Sequence, residues 1–144
     1  VPLSLKASGI YHSIERVNGE YRVSYEPAPR YLFLYETSPV FSWRAGETVY
    51  FFSSVFSPLS LDLAILHRWF FYNDVKKEWV EHENIRYPIT GGRDGGYRGY
   101  SFKTAIAPGK WKVEVMLDDG RILGKEEFLV VKRDTEPELK FGIK

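Results

Sequence analysis

Short stretches of alternating apolar and polar residues, punctuated by Gly, Pro and Asn/Asp, set the rhythm of this chain. Residues 21–26, Tyr-Arg-Val-Ser-Tyr-Glu, alternate and predict a half-buried strand. Pro27 and Pro29 stop it, and residues 31–35 predict a short edge strand before Ser38-Pro39. Residues 48–56, Thr-Val-Tyr-Phe-Phe-Ser-Ser-Val-Phe, are apolar on both faces, which predicts a central strand with a further layer over each side. In 64–72, Ile65, His67, Trp69 and Phe71 share one face, while Leu66, Arg68, Phe70 and Tyr72 share the other. Asn73-Asp74 then marks a hairpin turn, with a return strand around Trp79.

After Pro88 comes a Gly-rich run, 91–99. Strands are expected at 100–105, 110–117 and 128–131, with Pro108-Gly109 and Asp119-Gly120 as turns. In 110–117, Trp111, Val113, Val115 and Leu117 point inward and Lys112 and Glu114 face water. No long segment holds a helical period. The fold class expected is all-β, an immunoglobulin-like antiparallel β-sandwich. It spans 1–132, with the poorly periodic residues 1–20 as an N-terminal extension packing on it and 133–144 as a charged, loosely docked tail.

Composition changes this picture in two places. Four Trp, ten Tyr and ten Phe in 144 residues are too many for a disordered chain and suit strands. The charge of +1, from 20 basic and 19 acidic residues, lacks the basic excess by which nucleic-acid binders neutralise phosphate. No nucleic-acid partner is therefore expected. No stretch approaches a membrane span, and the start, Val1-Pro2-Leu3, lacks an initiating Met and a basic leader, so a longer parent protein is expected. Without Cys there are no disulfides or thiolate metal sites.

With these residues in view, the chain resembles a bacterial family known as domain of unknown function 2914. The likeness is carried by His67-Arg68-Trp69 with Phe70-Phe71, by Tyr100-Ser101-Phe102-Lys103, by Pro108-Gly109-Lys110-Trp111-Lys112-Val113 and by the hairpin at 119–123. It is best over about 48–131. The opening residues and the Gly-rich run are similar to a longer variety of the family, in which the domain sits at the C-terminus of a multi-span membrane protein. The resemblance implies an inner-membrane-attached domain facing the periplasm. It brings no activity and no catalytic residues.

The most distinctive local chemistry is the run Gly91-Gly92-Arg93-Asp94-Gly95-Gly96-Tyr97-Arg98-Gly99-Tyr100. It reads first as a long hairpin connection whose glycines supply positive φ and whose Arg93 and Asp94 lock it internally. If the chain carries a ligand site, part of it lies here: Arg93 and Arg98 would fix an anionic group, and Tyr97, Tyr100 and Trp79 would stack on a ring. Arg68 is a further candidate, as an exposed binding residue or an ion-pair partner. His67, between Ile65 and Trp69, reads as a hydrogen-bonded core histidine. Trp43 and Trp79 are expected to be the more exposed tryptophans.

His12, His67 and His82 lack a metal-ligand spacing, so no metal and no cofactor are expected. No Gly-x-Ser-x-Gly elbow or ordered triad is present. The function expected is a non-catalytic binding or interaction domain, its ligand a cell-envelope glycan or a protein partner. The alternatives are a purely structural or oligomerisation domain and, last, an envelope-polymer hydrolase, which needs two carboxylates, or a His and a carboxylate, meeting in a cleft.

Overall fold

The computed structural model describes residues 3–32, 36–57, 64–86, 90–91 and 96–144. Its strands in chain order are β1 Ser4–Tyr11, β2 Ser13–Val17, β3 Glu20–Tyr25, β4 Val40–Trp43, β5 Val49–Phe56 and β6 Ile65–Asn73. They continue with β7 Glu78–Arg86, β8 Thr90–Gly91, β9 Tyr97–Lys103, β10 Gly109–Leu117, β11 Ile122–Lys132 and β12 Lys140–Ile143. Three sheets result, ordered β1-β5-β9-β8, β4-β11-β10-β6-β7 and β12-β3-β2. Every pairing is antiparallel except β4 with β11.

The four-stranded sheet is the middle layer, which is why β5 is apolar on both faces. Val49, Phe51 and Val55 point into the main core, where they meet Trp69, Trp111 and Phe128 of the five-stranded sheet. Phe52 points the other way and packs with Tyr11, Ile14, Tyr21 and Val23 under the three-stranded sheet. The antiparallel sandwich and the two-faced central strand are as the sequence predicts. Ile65, His67 and Trp69 are fully buried, and so are Val113, Val115 and Leu117.

The ends of the chain differ from expectation. Residues 4–17 are not an extension lying on the sandwich. β1 is a strand of the middle sheet and β2 a strand of the third, with His12 at the switch between them. A bulge shifts the register between Leu5 and Ala7, and this interrupts the period-2 signal that would have marked β1. At the other end, Lys140–Ile143 pair with β3 in place of a loose tail. The link to β12 is anchored by Arg133, whose side chain is largely buried and bonds Glu47 at 2.6 Å and Glu136 at 2.8 Å. The edge strand expected over 31–35 begins instead in a 3-10 turn, Arg30–Leu32, and 33–35 lie outside the described residues.

Candidate functional site

Sequence reasoning grouped Arg68, Trp79, Arg93, Asp94, Tyr97, Arg98 and Tyr100, and the structure disperses those it describes. Arg93 and Asp94 lie outside the described residues. Tyr97, expected to stack on a ligand, is buried in the main core. The correction follows from strand alternation: Tyr97, Gly99 and Ser101 face inward, leaving Arg98, Tyr100 and Phe102 on the other face. Arg98 is engaged internally, its Nη1 donating to the Lys144 carbonyl at 3.1 Å and its guanidinium lying 5.5 Å from the Tyr21 ring centre.

Trp79 and Arg68 sit elsewhere, on the outer face of the five-stranded sheet. Tyr72 lies directly opposite Trp79, and the two rings meet edge to face at 5.2 Å. The Lys112 ammonium covers both Phe70, at 4.5 Å, and Trp79, at 4.6 Å. It also pairs with Glu114 at 3.8 Å, so Lys112 is nearly buried where a water-facing lysine is expected. Arg68 is shared between Glu81 at 3.3 Å and Glu114 at 4.0 Å. The cations of this face are seated on its rings and carboxylates, although Arg68 Nε makes no hydrogen bond among the described residues. Trp43, expected to be exposed, is only 9% exposed and packs in the main core.

Two polar constellations resemble catalytic arrangements without their geometry. His67 is fully buried between Ser53 Oγ, 2.8 Å from its Nε2, and Ser101 Oγ, 2.6 Å from its Nδ1. Trp69 Nε1 donates to the same Ser101 oxygen at 3.1 Å. Burial lowers the imidazole to about 3, so it is neutral at ordinary pH, as a core histidine should be. A substrate cannot reach a pair sealed inside the sandwich. In the second constellation, Glu26 Oε1 accepts from Ser42 Oγ at 2.6 Å, while its Oε2 meets both Ser42 N–H at 2.7 Å and His12 Nε2 at 2.8 Å. The carboxylate stands between serine and histidine, so the imidazole does not lie against the hydroxyl as it does in a serine–histidine–acid triad. Burial raises the Glu26 carboxyl, but the bonds from His12 and Ser42 together outweigh it and hold it below its ordinary value.

Tyr100 leads to an open site. A groove of about 540 Å3 is lined by Tyr100, Phe102, Gly99 and Ser101 of β9, Glu83 and Ile85 of β7, and Arg16 and Tyr21 of the third sheet. Both faces of β9 contribute, so the groove runs along the edge of the strand itself. β8 pairs with β9 only at Tyr97 and Arg98, and among the described residues 99–103 pair with β5 alone. Phe102 is 52% exposed at the rim. Lys103 closes one end, its largely buried ammonium 3.0 Å from Glu83. Of the described sequence candidates Tyr100 alone lines this groove, and Phe102, Ile85 and Tyr21 were not among those candidates. Their only sequence signal is an apolar residue on the outward register of a strand.

An immunoglobulin-like protein from Pseudomonas aeruginosa superposes on this structure with a TM-score of 0.50 at 9% identity, covering 91% of this chain and 98% of that one. At that identity the likeness establishes the fold alone, an immunoglobulin-like sandwich. No curated protein matches the chain. Residues 62–130, which run from the approach to β6 through most of β11, match the family model described as "Protein of unknown function (DUF2914)".

Proposed function

We propose that this chain is a non-catalytic binding domain, carried on the periplasmic side of the inner membrane by a bacterial membrane protein, and that it receives an extended segment of a protein partner along the edge of β9. The observation that carries this reading is that 99–103 pair, among the described residues, with β5 alone, beside an apolar groove. An unpaired edge offers main-chain N–H and C=O groups as a template, and pockets beside it select alternate side chains of an added strand. Phe102, Tyr100 and Ile85 supply the apolar walls, and Arg16 and Glu83 place one charge of each sign at the rim. A glycan is less suited to this groove, because Tyr100 meets Tyr21 edge to face and the two rings form no flat platform. Membrane attachment and the periplasmic side rest on the family resemblance. A phosphatase fused behind the domain in the parent protein is expected to be active, and an inactive fusion would put the domain in the cytoplasm.

The binding reading is tested by selecting displayed peptides against the chain and titrating the winners against Phe102→Lys and Ile85→Lys. Phe102→Lys places charge at the exposed rim, whereas Ile85 also packs against the main core, so an unchanged thermal midpoint is required of the Ile85 variant. Binding that falls at least about tenfold in both variants, a loss of roughly 1.4 kcal/mol, is expected. Peptides that bind parent and variants alike would sink the assignment. Strand pairing with a second copy of this chain predicts instead a concentration-dependent dimer that the same variants dissociate.

A further inference from the structure

At the opposite edge of the middle sheet lies a second cleft, of about 370 Å3 and far more polar. β1 provides one wall through Leu5, Lys6, Ala7 and Ser8, with Lys6 turned out by the bulge. Glu126 of β11 and the pair Glu36 and Thr37 face it. Tyr11 and Phe52 form the floor. The volume sits at the small end of ligand cavities, which run from about 300 to 1,000 Å3.

The hydrogen bonding inside this cleft is incomplete. Tyr11 is only 3% exposed, yet its hydroxyl has no hydrogen-bond partner among the described residues. It lies beside Thr37 Oγ1, at the place kept open by Gly9, where an added Cβ would come within 3.1 Å of both oxygens. The hydroxyl is not a buried polar atom left without a partner; it opens onto the cleft, where a ligand acceptor would replace water. Glu126 is the complementary case. Its carboxyl accepts one bond, from Ser8 Oγ at 2.7 Å, and has no cationic partner among the described residues. Burial pushes it above the usual carboxylate range, against the opposing effect of the Ser8 bond. Burial likewise raises the Tyr11 phenol, with Glu36, Tyr25 and Glu126 adding to the shift, so the hydroxyl remains a donor at any physiological pH.

Formal charges in the lining cancel. Glu36 is paired with Lys144, and Lys6 offsets Glu126. A ligand of either net charge would meet no net opposite charge here. What the cleft offers a ligand is the Tyr11 hydroxyl as donor and the Glu126 carboxyl as acceptor, beside the apolar side chains of Phe52 and Leu5. We propose that this cleft binds a neutral, hydroxyl-rich ring, a saccharide unit, with the Tyr11 hydroxyl donating to it and the Glu126 carboxyl accepting from it. A sugar hydroxyl both donates and accepts, and the C–H face of the ring suits an aromatic floor. The site is independent of the β9 groove and stands whether or not that groove binds a peptide.

The test is an amide-shift titration of the whole chain with glucose, galactose and N-acetylglucosamine, and with cationic glucosamine as comparator. Saturable shifts from at least one neutral sugar are expected at Ser8, Tyr11 and Glu126, absent at 99–103. Tyr11→Phe and Glu126→Gln should each weaken that affinity by about tenfold, the worth of one buried hydrogen bond. Unchanged shifts in β6 and β10 would certify that both variants are folded. The proposal is overturned if no neutral sugar gives saturable shifts at about 100 mM, a hundredfold above a millimolar Kd. It is equally overturned if glucosamine alone binds, or if both variants bind as the parent does.

Discussion

Replacing His67 by Gln should change how this protein responds to acid more than it changes the fold. In the native state the imidazole is sealed between Ser53 and Ser101, and burial lowers it from 6.5 to about 3. The unfolded chain takes up a proton near pH 6.5 while the native one refuses it. Stability contributed by the neutral imidazole is therefore complete above that pH and declines as acid is added, by about 1.4 kcal/mol per unit, down to the native value. From pH 7 to pH 5 the loss from this one group is about 2 kcal/mol, a large share of a marginal stability. Other groups titrate in the same interval. Burial and Lys103 lower His82, which adds to the loss, and the raised Glu126 opposes it. Both are common to parent and variant, so they cancel in the difference. Urea unfolding at pH 7 and pH 5, read by tryptophan fluorescence, gives the four stabilities required. The parent should lose about 2 kcal/mol more than His67→Gln over this interval. A difference below about 0.5 kcal/mol would refute the placement of a neutral, proton-excluding histidine in the core.

Three further outcomes follow from the packing. Ser101→Ala strands both His67 Nδ1 and Trp69 Nε1 and should destabilise by about 2–4 kcal/mol in urea melts, against well under 1 kcal/mol for a serine without those bonds. Gly96→Ala should cost about 2 kcal/mol or more, because φ is +71° and the new Cβ would lie 2.7 Å from the Val55 carbonyl oxygen; an unchanged thermal midpoint would contradict this. Deleting 140–144 should lower the urea midpoint and accelerate amide exchange in β3, whereas a loose tail would leave both unchanged.

The sandwich was legible because its central strands carry unbroken period-2 patterns. Thr48 to Phe56 announced a strand covered on both sides, and Trp111 to Leu117 announced the facing core. β1 of the middle sheet and β2 and β12 of the third escaped because their signals are interrupted. The bulge at Lys6 masks β1, the chain changes sheets at His12, and β12 follows a charged stretch containing Pro137. Site residues were less legible still. Tyr97, Arg98 and Tyr100 look alike as neighbours in sequence, but alternation sends Tyr97 into the core and Arg98 onto Tyr21. Arg68 and Trp79 are aromatic and basic like the rest, yet they belong to a different sheet. The polar cleft lies beside the bulged β1, and no residue type records a bulge.

The most direct test of the central claim is amide hydrogen exchange of the chain with and without a peptide selected for binding. Strand addition along the β9 edge predicts new protection at outward-facing amides within 99–103, spreading no farther than β7 and the third sheet. Protection confined to the outer face of β6, β7 and β10, with none in 99–103, would contradict it.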